Sequence, residues 1–393
     1  MAGNFVQLHN HTHYSLLDGA SKVPDLVKRV KELGMPAVGI TDHGNMHGAY
    51  ELWRAAVDSG VKPIIGIEAY VTPETARQDK TRVSWDTNWT PVPGHARNPD
   101  DVSGGGLITH LTMWAENDEG LVNLIKASSV ANLEGRVMRY PRMDKEVLST
   151  YSKGVIASSG CPSGIIQTRL RLGQFDEALR AAGEFQDIFG KDNFYIELMD
   201  HGLSIESKVT GDLLTIAKKL GAPLLATNDS HYVMEADKDA QDAMLCINSG
   251  ATLDDPNRFK FEGSGYYIKS AEEMRELFKD HPDACDNTLE IAERCNVIFD
   301  DHEDGAFMPQ FDCPEGWDET SLFLKKVEEG REKRYDGNPP MEVLKQADYE
   351  CGVICQMQFC GYFLVVADYI NWAKEHGVMV GPGRGSAAGA MVA

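Results

Sequence analysis

Short strand-like runs alternate with amphipathic helical stretches about seven times over the first two thirds of the chain. Such alternation predicts an α/β fold in which a parallel sheet closes into a TIM-like (β/α)7 barrel. Residues with the chemistry of metal ligands fall at the ends of the predicted strands, where barrel active sites are built. After Gly265-Tyr266-Tyr267 the pattern becomes mostly helical, which predicts two domains, 1–283 and 284–393. An open, doubly wound sheet is the structural alternative.

The first predicted strand is 5–8, followed at once by His9 and His11. Residues 23–33 form an amphipathic helix capped by Ser21 and stopped by Gly34, and 37–41 the next strand. A helix over 46–59 leads to a buried strand at 63–71 (PIIGIEAYV). Strands at 107–114, 154–158, 193–199 and 223–227 follow, with helices at 117–130, 175–189, 204–220 and 235–249. Residues 72–106 break the rhythm, being rich in Thr, Pro, Asn, Asp and Gly and too long for an ordinary connection. They predict an excursion over one barrel face. Helices at 271–279, 286–295, 321–335 and 341–358 complete the pattern, interrupted by a loop at 299–317. The apolar helical run at 380–393 has no capping signal, as expected of a fragment cut inside a larger domain.

Of the 393 residues 42% are hydrophobic and 25% charged, ordinary globular values, with no apolar run of membrane-spanning length. Nothing at the start directs export, so a cytoplasmic location and no membrane partner are expected. Eight cysteines without disulfide-scaffold density read as thiols. A net charge of −22 excludes a broad electrostatic grip on nucleic acid. It does not exclude a nucleic-acid substrate, because a carboxylate-rich pocket loaded with cations turns locally positive.

In extended backbone, residues two apart face the same side, so the imidazoles of His9 and His11 can converge. Asp229 and His231 repeat that spacing after the last strand. Asp18, His43, Glu68, His110 and Cys161 accompany the strands between them. Taken singly, a buried His or Cys is most often a core residue. Glu68 differs, because a carboxylate inside a buried apolar strand is costly unless paired or metal-bound. Together the nine predict a metal site. Mixed His, Asp, Glu and Cys suit zinc, manganese or iron better than calcium or magnesium. Nine ligands exceed one ion's needs, and two or three divalent ions roughly 3.5–4 Å apart can clamp a phosphate and activate water. Phosphoester hydrolysis is therefore the predicted reaction class, with Asp18, His43, Glu68 and Asp229 as its catalytic residues.

The sequence resembles a known family through His9-Asn10-His11, Leu17-Asp18-Gly19, Thr41-Asp42-His43-Gly44-Asn45, Gly66-Ile67-Glu68-Ala69-Tyr70, Thr109-His110-Leu111, Ser159-Gly160-Cys161-Pro162 and Asn228-Asp229-Ser230-His231-Tyr232. These look like the polymerase and histidinol phosphatase (PHP) domain, in the version found at the start of bacterial DNA polymerase III alpha subunits. The resemblance continues to the glycine-rich run Gly381-Pro382-Gly383-Arg384-Gly385-Ser386, which resembles the start of that family's palm. It implies a distorted barrel followed by a mostly helical partial palm. It also implies a trinuclear metal site, a proofreading 3′-to-5′ exonuclease, and triphosphate binding by Gly383, Arg384, Gly385 and Ser386. The implied partners are the 3′ end of a DNA primer strand, the remainder of an alpha subunit and other replisome subunits. The family's palm aspartates lie beyond Ser386, so this chain is expected not to incorporate nucleotides.

Cations are needed to hold a strand, and Arg169 and Arg171 are the candidate substrate-binding pair among the arginines that flank Cys161, which include Arg142. Asp42 is read as either a partner that orients a ligand or a turn cap. Trp85 is read as packing of the long loop, and Cys351 and Cys355 as core contacts. Competing functions are a scaffold whose metals only stabilise the barrel or dock a partner, and a small-molecule phosphoesterase.

Overall fold

The structure is a computed structural model and describes residues 5–16, 18–91, 98–263, 265–300, 308–381, 383 and 389–393. It divides into two compact units, Met1–Phe299 and Asp300–Ala393. The division falls later than the sequence boundary near 283 because helix Pro282–Arg294 belongs to the first unit. Its Ile291 and Ala292, with Cys295 beyond it, pack into one apolar cluster with Val6, Leu8, Ala37, Ile64, Trp114, Ile156, Tyr195 and Leu225. That cluster takes apolar side chains from most of the strands, and the helix seals it.

The first unit holds strands β1 (Ala37–Ile40), β2 (Lys62–Val71), β3 (Thr109–Ala115), β4 (Arg142–Met143), β5 (Val155–Ser158), β6 (Phe194–Leu198) and β7 (Leu224–Ala226). Their order is β1-β2-β3-β5-β6-β7, with β4 alongside β2. Helices Val23–Glu32, Ala49–Ser59, Asp118–Glu134, Phe175–Phe189 and Ser204–Leu220 cover the outside, where their apolar faces join a second, larger core. The first of these is not capped by Ser21. Its cap position is Lys22, with no side-chain cap bond, and Pro24 in the first turn has no N–H, so one fewer donor there needs an acceptor.

Two features depart from a regular parallel barrel. First, β3 runs antiparallel to both β2 and β5. The described residues of 72–108 contain only the four-residue helix Ser103–Gly106, too short for the crossover that a parallel return usually needs. Second, the expected strand at 5–8 makes only single bridge pairs, Gln7 with Val38 and Asn10 with Ser230. Those two pairs still place the segment between β1 and the residues after β7, which closes the ring. Gly39 permits the close approach: its N–H donates to Gln7 O at 2.8 Å, and a Cβ there would lie 2.6 Å from Leu8 O.

The excursion between β2 and β3 is ordered over its described residues. Asp101 accepts hydrogen bonds from Ser84 Oγ and from the backbone N–H groups of Trp85, Asp86 and Val102. Arg142 is fully buried and donates to four carbonyls, those of Arg77, Asp79, Leu107 and Gly135. It is a structural clamp on the excursion, not a strand-binding cation.

The second unit contains helices Glu319–Tyr335, Met341–Gln356 and Cys360–Glu375 around Leu322, Phe323, Cys351, Cys360 and Leu364. Cys351 and Cys355 are core contacts there, as expected. No α-helix is present over 389–393, and Arg384, Gly385 and Ser386 lie outside the described residues. Among the described residues no single helix is long and apolar enough to cross a membrane.

Candidate metal centre

Along the strands the barrel interior changes from apolar to polar within two residues. Ile64, Trp114, Ile156, Tyr195 and Leu225 belong to the inner apolar cluster. Two positions away on the same faces stand Thr112, which is paired with Glu68, and Ser158, which is paired with Thr112, then Glu197 and Thr227. Because β3 is reversed, the polar end of the barrel receives its amino-terminal end, so His110 enters from the start of a strand rather than from its finish.

All nine expected ligands are brought together. His9 Nε2 lies 3.6 Å from Glu68 Oε1 and 3.3 Å from Asp229 Oδ1, and His11 Nε2 lies 3.4 Å from Glu68 Oε2 and 3.0 Å from Asp229 Oδ1. His43 Nδ1 is 2.6 Å from Glu68 Oε2, and its Nε2 is 3.3 Å from Asp18 Oδ2. His110 Nδ1 is 3.1 Å from Glu68 Oε1 and 3.4 Å from Cys161 Sγ. The His231 ring stacks on His11 with centroids 4.3 Å apart.

The residues fit a metal cluster. His9 Nε2, His11 Nε2, His43 Nδ1, His231 Nε2, Glu68 Oε2, Asp229 Oδ1 and Asp18 Oδ1 are buried and, although several crowd within 2.6–3.6 Å of one another, none makes a hydrogen bond of normal geometry among the described residues. Buried polar atoms are rarely left unpaired, and seven in one place call for a shared electrophile. Two donors about 2.1 Å from one cation stand roughly 3.0–3.4 Å apart, close to the separations above. Three overlapping triads meet the spacing: His9/His11/Asp229, His43/Glu68/His110 and His11/His43/His231.

A surrounding layer aims these donors. Glu197 Oε1 accepts from His9 Nδ1 at 2.7 Å, leaving Nε2 as a lone-pair donor. Ser15 Oγ lies 2.9 Å from His11 Nδ1 and donates to Asp42 at 2.8 Å, and Asp42 also accepts from Thr12 N at 2.7 Å. Asp42 thus orients the ligand segment through Thr12 and Ser15. His231 Nδ1 donates to the Asp229 carbonyl at 2.8 Å. Asp229 itself sits at φ 44°, a left-handed conformation that costs energy and aims its carboxylate inward. Glu197 was not anticipated. It lies within a predicted buried strand, so the argument that singled out Glu68 also applies to it.

The electrostatics are those of a site awaiting positive charge. Burial would raise Glu68, but His110 and His43 hold it well below the usual carboxylate range; Asp229 is also held low, by His9 and His231 against burial. Burial would lower His9, but Glu197 and Asp229 raise it well above its ordinary value. Burial, with His43 and His231 nearby, pushes His11 down to about 3. The Cys161 thiol is raised by burial and by the Glu68 and Asp229 charges, so an unneutralised cluster keeps it protonated.

Arg169 and Arg171 are not brought into the cluster. Arg169 stacks on Trp85 at 3.8 Å and binds Gln174 at 2.7 Å and Glu74; Arg171 binds the Pro162 carbonyl at 2.5 Å and the Asp100 carbonyl at 3.3 Å. Both are buried and tie the excursion to helix Ile165–Arg171. Trp85 is loop packing, as read.

The PHP domain family model matches residues 7–201, and the model of the bacterial DNA polymerase III alpha NTPase domain matches residues 321–393. DNA polymerase III subunit alpha of Mycobacterium leprae is 50% identical over 391 residues, covering 99% of this chain and 32% of the relative. The subunit of Treponema pallidum is 40% identical over 391 residues, covering 99% and 31%. The chain thus spans about a third of the length of these curated relatives. A solved two-domain protein from Bacteroides vulgatus, described as containing a predicted PHP-like metal-dependent phosphoesterase, aligns at 11% identity with a TM-score of 0.33 over 75% of this chain and 70% of that one. That likeness is too loose to carry an argument. Two family models in tandem, and agreement along 99% of this chain with the corresponding third of alpha subunits from two different bacteria, lead to one conclusion: the chain belongs to the bacterial DNA polymerase III alpha subunit family and carries that family's PHP domain.

Proposed function

We propose that the first unit hydrolyses phosphodiester bonds at the 3′ end of a DNA strand, as the proofreading 3′-to-5′ exonuclease of a replicative polymerase. The observation that carries this reading is the convergence of seven buried, unpartnered donor atoms around Glu68 and Asp229. The donor mix suits two to three ions of zinc, manganese or iron. His9, His11, Glu68 and Asp229 would hold one ion, and Glu68, His110 and Cys161 a second. Asp18, His43 and His231 would hold a third. Divalent ions bound there supply positive charge to the phosphate oxygens and acidify water. In the reaction the water oxygen joins phosphorus, the bond from phosphorus to the 3′ oxygen of the preceding nucleotide breaks, and that oxygen takes up a proton. That proton is the one the attacking water gives up, passed on through solvent at the open side of the site, where the His43 and Asp18 side chains are 16% and 21% exposed while those of His9 and Glu68 are at most 1% exposed.

The further parts of this reading are DNA, the rest of an alpha subunit and other replisome subunits as partners, in the cytoplasm. Within it the first unit is the hydrolase, and residues 321–393 open a polymerase domain. The test is a 5′-labelled primer, paired and single-stranded, incubated with the chain and manganese or zinc beside Asp229→Asn. A ladder shortening from the 3′ end, absent with the variant, is expected. Full-length primer under every metal, with metal demonstrably bound, would refute the exonuclease. Cleavage of small phosphoesters alone would then favour a small-molecule phosphoesterase. The deep burial of His9 and Glu68 favours one other reading, a barrel that metals merely stabilise; unfolding on metal removal without any prior activity would support it.

A further inference from the structure

Beside the metal centre a cavity of about 380 Å³ opens between residues 232–242 and 258–263. It adjoins the centre in three ways. The Phe261 ring meets the His231 ring edge-on at 4.6 Å, Tyr232 follows His231 in the chain, and Gln241 Nε2 donates to the Asp18 carbonyl at 3.1 Å. Tyr232 is 1% exposed, lines the cavity, and its hydroxyl has no hydrogen-bond partner among the described residues. A buried hydroxyl left unpaired is costly, which points to a ligand atom as its partner.

The charges around the cavity cancel. Lys238 and Lys260 are matched by Asp239 and Glu262, and Arg258 is paired with Asp242 through Nη2 and Oδ2 at 2.6 Å and a second, shorter contact. The cavity is therefore poorly suited to a phosphate. It suits a flat, neutral, hydrogen-bonding group beside one, and its volume lies within the range of small-molecule sites. We propose that it receives the base and sugar of the terminal nucleotide while that nucleotide's phosphate lies at the metal centre. Phe261 is the stacking platform, and the Tyr232 hydroxyl meets a polar edge of the nucleoside. This assignment rests on the phosphodiesterase reading for its phosphate, but the cavity can be tested without catalysis.

The experiment is calorimetric titration of the whole manganese-loaded chain with deoxyadenosine, deoxyadenosine 5′-monophosphate and inorganic phosphate. The monophosphate is expected to bind more tightly than either part. Phe261→Leu, which keeps apolar bulk and loses the stacking face, should weaken nucleoside and nucleotide about tenfold and leave phosphate unchanged. Tyr232→Phe, which preserves the packing, should weaken them a few-fold. Nucleotide binding no tighter than phosphate, with deoxyadenosine silent, would overturn the proposal even if the primer assay shows degradation. Deoxyadenosine binding that is weakened by Phe261→Leu would sustain it even if the primer stays intact, and only the exonuclease reading would then fall.

Discussion

Glu197 stands behind His9, yet it decides which nitrogen of that ring faces the cluster, because its carboxylate accepts the hydrogen bond from Nδ1–H. Glu197→Gln should lower metal affinity about 10–100-fold in a chelator competition, with circular dichroism unchanged. Unaltered affinity would mean that packing alone sets the ring. The titrating residues also predict a pH signature for the metal-free chain. Glu68, Asp18 and Asp229 are held low in the fold, so their stabilisation is present above about pH 4 and is lost as pH falls through their folded values. His9 and His43 are held high, so theirs is present below about pH 6.5 and is lost as pH rises through theirs. His11, pushed down to about 3, acts against the acid flank from pH 6.5 downward. The melting temperature of chelated protein should therefore fall as pH rises from 6.5 to 9. Metal-loaded protein should not show that decline, because cations replace the protons; identical profiles would argue against metal binding at these residues. The convergence of the nine candidate ligands was legible because most are ionisable residues within or beside apolar strands, where such groups are costly. The buried roles of Arg142, Arg169 and Arg171 were not, since an arginine that clamps carbonyls and one that binds phosphate look alike in a single sequence.

Among the elements, most helices of the first unit and the later strands were readable from periodicity. The direction of β3 was not, because a strand's sense depends on its neighbours and not on its own residues. Two-residue β4 is too short to carry a pattern. Helix Cys360–Glu375 lies close behind Met341–Gln356, and the break shows only in the backbone, where Gln358 takes φ 60°. The closing segment at residues 5–11 offers a test at this scale. Gly39→Ala would drive a methyl into the Leu8 backbone, from which only displacement of the segment gives relief. A loss of about 1–3 kcal/mol in denaturant unfolding is expected, together with weakened metal binding, since His9 and His11 ride on that segment. Stability and affinity both equal to wild type would show that the segment is not held by this contact.

For the whole molecule, every candidate metal ligand belongs to the first of the two units. Chelation should therefore lower the melting transition of that unit by several degrees and leave any separate transition of the helical unit unmoved. A shift of both in step would show that they unfold together. The two-unit organisation was visible in composition, although its position was not, because helix Pro282–Arg294 reads as a member of the helical run and is placed by the barrel cluster it completes.

The ring is closed by pairing its first residues against those that follow β7, and one group of donors, His9 and His11 from one side and Asp229 from the other, is assembled from those two ends. A ribosome making roughly 5–20 residues per second takes about 10–45 s to travel from one end to the other. Throughout that time the nascent chain lacks the Asp229 carboxylate that joins Glu68 against the histidine pair. Any capacity to cut nucleic acid is thus withheld until the barrel has been synthesised and closed.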